Sequence, residues 1–393
     1  MHTGVRGSAP VVKTTLIMKK IYTLVLPQGN ARKLHKLAFV FAAIIVLTGC
    51  STVGYYSQIV SGHMRIVFGK RPVAEIVSDD SVNDVIKHRL QVAQNARQFA
   101  IQDLGLPDNE SYTSFYDTGR RFVTWNVVAA EEFSFNPVAW CFPIAGCVSY
   151  RGYYELQDAT AYAQDLAKQG LDVSVNGATA YSTLGWFKDP ILNTMLARSD
   201  PAIASLLFHE LAHQQLYVGD DSTFNESFAT FVEKEGLRQW RKNVEETNPT
   251  PLDSKIAEEL AARDQREIEF VALLNTVKED LEVLYELPIG EDEMRSRKSA
   301  RFEQMRDEYD ALKDSWGGYT GYDDWMKRDL NNARLVAVGT YNDYIPAFEE
   351  MFRQNDSSLE KFYVAALEVS KMPAPERTKL MEELLYKASV MSQ

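Results

Sequence analysis

The chain has 393 residues, of which 42 are basic and 54 acidic, giving a net charge of −12. That length suffices for one large domain or two smaller ones, and the acidic balance argues against a nucleic-acid partner and against electrostatic docking to anionic lipid. With only six histidines and three cysteines, each of these residues can be weighed individually.

Residues 1–49 carry seven positive charges (Arg6, Lys13, Lys19, Lys20, Arg32, Lys33, Lys36) and no acid. An apolar run, Leu37 to Leu47, follows the last of them and ends in Thr48-Gly49-Cys50-Ser51. A basic start, a short apolar stretch and a small-residue cut site read as a secretory signal, too short for an ordinary membrane span. The pattern resembles a bacterial lipobox, with cleavage leaving Cys50 as a lipid-modified N-terminus; a plain signal anchor is the alternative. Met18 is a second candidate start, and Ser51 after the lipidated cysteine points to the outer membrane, facing the periplasm. Without residues 1–49 the balance becomes 35 basic against 54 acidic residues, or −19. Membrane attachment then depends on acyl chains.

Along the remaining chain, residues 80–104 have a broad apolar face and predict a helix stopped by Gly105 and Pro107. Runs at 112–116, 122–128, 148–154 and 173–175 predict short strands. Asn136-Pro137 and Phe142-Pro143 break helices and predict a loop. Within it, Cys141 and Cys147 would close a disulfide in an oxidising compartment, or remain two buried thiols. A helix over 157–169 ends at Gly170. Asp200-Pro201 places a cap and an N1 proline before the next helix, and 221–240 reads as another. A long amphipathic helix is predicted over 253–287, followed by helical patterns at 302–316, 348–352 and 376–391. The fold class is α+β, mainly helical, with a small N-terminal sheet and a helical C-terminal bundle. We divide the chain into a signal segment (1–49), a core (50–250) and a helical region (251–393) packed on that core.

The chemistry concentrates in His209-Glu210-Leu211-Ala212-His213. On a helix, residues four apart lie one above the other, so the two imidazoles present themselves to one point. Glu210 lies about 100° round the helix, within reach of a metal-bound water but outside the ligand set. A catalytic zinc takes three protein ligands, and Glu226, twelve residues after His213, is the candidate for the third. Its rival role is local, because Thr223-x-x-Glu226 also fits a capping box. Glu233 is the substitute ligand, and Asp220 and Asp221 rank behind. His63 and His88 stand alone and read as solvated or structural.

The run His209 to Gln214, with Phe224-Asn225-Glu226-Ser227-Phe228-Ala229, resembles a family of bacterial lipoproteins described as aminopeptidases, zinc enzymes of the gluzincin type with a zincin-like helix pair. Segments 146–153, 181–187 and Asp189-Pro190 are similar to the same family, as are Asn331-Asn332-Ala333 and Pro346-Ala347-Phe348. The resemblance implies Zn2+ held by His209, His213 and Glu226, Glu210 as general acid/base, and a peptide substrate. Tyr150, Arg151, Tyr153 and Tyr181 are candidates for stabilising the oxyanion. Arg151 is also a candidate for a substrate carboxylate, and Glu233 for a free amine. The Gly-x-Met-Glu-Asn segment with which gluzincin aminopeptidases bind that amine is absent. An envelope endopeptidase of the same chemistry, and a non-catalytic zinc-binding lipoprotein scaffold, are therefore kept as alternatives.

Overall fold

A computed structural model describes residues 53–142, 146–247 and 254–391. The described residues are 63% helix and 10% strand, the mainly helical α+β class that the periodicities predict. Residues 1–49, expected from the sequence to be a signal segment, lie outside the described residues with Cys50, as do 143–145 of the cysteine loop. Ser61–Gln393 is one compact unit.

Its N-terminal half runs Arg71–Pro72 (β1), Asp84–Gln102 (α1), Ser114–Tyr116 (β2), Thr124–Glu131 (β3), Trp140–Phe142 (β4), Gly146–Val148 (β5), Arg151–Tyr153 (β6), Leu156–Ala167 (α2), Leu171–Ala178 (β7) and Ile191–Leu192 (β8). Strand β3 is the middle of an antiparallel sheet, β6-β3-β7, paired with β7 from Thr124↔Ala178 to Glu131↔Leu171. Val127 to Ala130 are all buried, as a strand covered on both faces must be. Strands β4 and β5 form a separate hairpin joined by the Cys141–Cys147 disulfide, which settles the choice between a bridge and two thiols. The single strand expected over 148–154 is two strands in different sheets. The break falls at Ser149-Tyr150, where the Ser149 amide donates to Ser222 Oγ at 3.2 Å.

The motif helix, Asp200–Gln215 (α3), is buried on every side from Ile203 to His213 apart from a half-buried Leu206. It packs between α1 and the next helix, Ser222–Thr247 (α4). Gly236 of α4 permits the close approach, because a Cβ there would lie 2.7 Å from Leu104 and 3.0 Å from the Phe208 ring. The start of α3 differs by one residue from expectation. Ser199 is the cap, Pro201 sits in the first turn, and the Asp200 carboxylate faces His88 Nε2 at 2.9 Å.

Farther along, Ser254–Tyr285 (α5) and Glu291–Ser315 (α6) pair through Phe270, Leu274, Val277 and Leu281 on one side and Phe302, Met305 and Tyr309 on the other. Then come Asn332–Asn342 (α7), Ile345–Gln354 (α8), Leu359–Ser370 (α9) and Ala374–Met391 (α10). Helix α7 lies against α4, α5, β3 and β7. Val128 and Ala130 meet its Ala333 and Val336, so by alternation Val127 and Ala129 face α2.

Polar contacts fix α7 at its beginning. Asn332 Nδ2 donates to the Glu132 and Ser134 carbonyls at 3.0 Å, and its Oδ1 accepts from Tyr285 at 2.8 Å. The Asn332 amide and Lys298 Nζ both donate to Asp172, at 2.8 and 2.6 Å. Neither α7 nor α9 is among the helices expected from periodicity. In α7 the cause is burial, since Ala333, Arg334, Leu335, Val336 and Gly339 are all enclosed and leave no amphipathic stripe.

Candidate metal centre

Three atoms converge between α3 and α4. His209 Nε2 and His213 Nε2 are 3.1 Å apart, and each lies 3.3 Å from Glu226 Oε2. In a tetrahedral zinc site with ligand bonds of 2.0–2.1 Å, ligand atoms stand about 3.3 Å from one another. All three residues are buried, and their donor set can hold a metal ion.

Local chemistry brings Glu226 there. The side chain of Asn225 closes the turn between the helices, accepting from the Val218 amide and donating to the Val218 carbonyl, both at 2.7 Å. Asp221 caps α4, accepting from the Phe224 amide at 3.0 Å while its other oxygen accepts from Arg377 Nε at 2.7 Å. Thr223 therefore lies inside the helix, and Glu226 points at the histidines instead of capping. Asp220 accepts from the Cys147 amide, which ties the disulfide hairpin to this turn. Gly146, at φ 71°, allows that approach, because a Cβ would meet Asp220 Oδ1 at 2.7 Å.

Glu233 supports the site from behind. One oxygen accepts from His209 Nδ1 at 3.0 Å and the other from Ser205 Oγ. A carboxylate on Nδ1 sets the tautomer that leaves the Nε2 lone pair free for a metal. The charges agree with these contacts. Burial alone would raise the Glu226 carboxyl, but His213 and His209 hold it well below the usual carboxylate range. Burial likewise opposes the low pKa of Glu233, which His209 and Ser205 enforce. His209 is desolvated, yet Glu226 and Glu233 raise its pKa well above an ordinary imidazole. Glu210 is buried beside them and its carboxyl is raised by that burial, against the pull of His209 and His213. Three carboxylates thus surround two imidazoles, a surplus of negative charge that suits a dication.

A cleft of about 220 Å³ opens beside Glu226, walled by Asn126, Tyr150, Trp325, Arg334 and Tyr341. Tyr150, one of the oxyanion candidates, is on the wall of this cleft. Arg151, its neighbour, is turned the other way, with its guanidinium 4.5 Å over the Tyr162 ring and 5.8 Å over Tyr153. Tyr181 does not line this cleft. Its hydroxyl lies 3.0 Å from His63 Nδ1, in a polar group with Asp189. Asp189 is 2% exposed and accepts from the Thr183 amide and hydroxyl at 2.9 and 2.8 Å, and burial raises it to about 6. Gln214, next after His213, links this group to the motif helix, with Nε2 3.4 Å from Asp189.

Tyr341 is the residue that sequence reasoning missed. It lies near the end of α7, its ring 6.1 Å from that of His209 and close to parallel, with 39% of its surface open. The Glu226 charge, then burial, raises its hydroxyl well above an ordinary phenol, so it faces the site as a neutral donor. Ser227, the residue after Glu226, accepts from the Tyr344 amide at 3.2 Å and so holds the end of α7. Asn225, Glu226 and Ser227 respectively close the turn, face the histidines and secure the helix bearing Tyr341.

Two histidines and a carboxylate gathered beside a cleft define a protein able to seat a metal at the wall of a pocket. The chain belongs to the family described as "putative aminopeptidase", which it matches over residues 54–381, and that family name denotes peptidases. No curated protein and no solved structure matches the chain.

Proposed function

We propose that this protein is a zinc-dependent peptidase with His209, His213 and Glu226 as ligands. The observation that carries the reading is the buried triangle of Nε2, Nε2 and Oε2, with edges of 3.1 to 3.3 Å, beside a buried Glu210. Zinc, when bound, supplies a water of lowered pKa and a Lewis acid for the peptide carbonyl. The chain's own groups do the rest. Glu210 takes the proton of the attacking water and delivers it to the leaving amine, a role favoured by burial, which raises its carboxyl. Tyr341 donates its hydroxyl to the carbonyl oxygen as charge develops there, with Tyr150 on the same wall. Glu233 holds His209 in orientation.

The family name favours an aminopeptidase. Envelope endopeptidase activity is a second reading, favoured by one contact: Glu233, the candidate for a free amine, is already engaged by His209 and Ser205. The residue pattern up to Ser51 supports an exported protein held by lipid on Cys50 at the outer membrane, facing the periplasm, with a peptide and no nucleic acid as partner.

The test combines zinc analysis with cleavage of free and N-blocked peptides by the wild type and by Glu210→Gln. Stoichiometric zinc in both proteins, with cleavage lost by about 10²–10⁴-fold in the variant, is expected. Undiminished cleavage by a zinc-loaded variant would sink the mechanism. Cleavage of blocked peptides would select the endopeptidase.

A further inference from the structure

Arg334 is 4% exposed, yet it lines the cleft that contains Glu226 and Tyr341. Its Nη2 donates to the Trp325 carbonyl at 2.7 Å, and its guanidinium lies 4.1 Å over the Trp325 ring. Its Nε has no hydrogen-bond partner among the described residues. Enclosed arginines elsewhere meet an acid: Arg377 faces Asp221 at 2.7 Å and Arg301 faces Asp280 at 2.8 Å. Among the described residues, no carboxylate comes within ion-pair distance of Arg334. Its surroundings are unfavourable to a charge, for burial, with Arg328 and Arg306 close by, lowers it to about 10 against the weaker pull of Asp329. A buried cation left without a counter-charge is unfavourable unless a partner arrives from outside. The planar fork of a guanidinium matches a carboxylate.

The helix fixes the spacing. Arg334, Val338 and Tyr341 follow one another at four and three residues on α7 and all face the cleft. Seven residues of helix rise about 10 Å, which an extended peptide covers in about three residues at 3.3–3.6 Å each. The cleft, at about 220 Å³, is smaller than the 300–1,000 Å³ of ordinary ligand pockets, so its occupant is short.

We infer that Arg334 binds the C-terminal carboxylate of the substrate, so that the preferred substrates are short peptides ending two or three residues beyond the bond at the metal centre. This rests on the peptidase reading for the bond broken, but not for the anion bound. An acidic side chain offers the same carboxylate chemistry from a different source, and the test separates the two.

Calorimetric titration of the Glu210→Gln protein with trialanine, trialanine amide and Ala-Asp-Ala amide reads binding without turnover. Trialanine is expected to bind at least about 10-fold more tightly than either amide. Adding Arg334→Gln should abolish that difference with the melting temperature little changed. Val338→Glu is the second variant, for it sets a carboxylate one turn from Arg334 while leaving the guanidinium on Trp325, and should abolish the difference too. Equal binding of acid and amide, tighter binding of Ala-Asp-Ala amide, or a preference that survives both variants overturns the inference. Cleavage of trialanine by the wild type is measured beside these titrations. Selective binding without cleavage keeps the carboxylate site and removes the peptidase reading; cleavage without selectivity does the reverse.

Discussion

The two ends of the cleft are charged in opposite senses and solved differently. At the histidine end, Glu226 and Glu233 each meet an imidazole at 3.0 to 3.3 Å, and the surplus is negative. At the far end, Arg334 has an aromatic ring and one carbonyl but, among the described residues, no acid within ion-pair distance. Buried charge is tolerated where something balances it. On the readings proposed above, the first end takes a cation and the second an anion.

The sharpest way to break this comparison is to remove a ligand. His213→Ala and Glu226→Gln should each abolish stoichiometric zinc and lower cleavage by about 10³-fold or more. Retained zinc in either variant, by metal analysis, would mean that the triangle is structural. Tyr341→Phe keeps the ring against His209 and deletes the donor, so kcat should fall by about 10²-fold with KM little changed. A matching fall in affinity instead would make Tyr341 a binding residue.

Glu233→Gln should weaken zinc by about 10–100-fold in competition with a chelator, because His209 loses its anionic support. Unaltered affinity would show that Ser205 and burial suffice to orient the ring. Asp189→Asn calibrates the cost of an anion shielded mainly by hydrogen bonds. Its carboxyl is raised to about 6, so its proton is held more tightly in the folded state. Stability of the wild type relative to the variant should therefore fall as pH rises from about 4 to about 6, by on the order of 2–3 kcal/mol, and stay flat above. Denaturation curves across that window check the sign, and a rise would refute it.

The convergence of His209, His213 and Glu226 was legible because its parts are local. Two histidines one helical turn apart and a glutamate on the adjoining helix need only a short turn to meet. Whether Glu226 caps its helix or faces the histidines was not legible. That depended on Asp221 taking the cap, which only the path of the turn reveals. Which of Tyr150 and Arg151 lines the cleft was not legible, since adjacent residues point to opposite sides and the phase there is set by the pairing of Arg151 with Val127. Tyr341 and Arg334 were hidden for a different reason. They reach the cleft on a helix enclosed nearly all round, which leaves no apolar stripe in the sequence, and long-range contacts with β3 and α4 bring it there. The outline of the fold was legible where apolar residues recur at helical spacing, as Phe270, Leu274, Val277 and Leu281 do on α5.

The hairpin of Cys141 and Cys147 adds no residue to the triangle, yet through Asp220 it grips the bend at which the helix of His209 and His213 gives way to that of Glu226. The angle between those helices is thereby braced from outside the site. A change in the hairpin would act as a change of leverage on the pair, shifting the spacing of His209, His213 and Glu226 while leaving those residues themselves untouched.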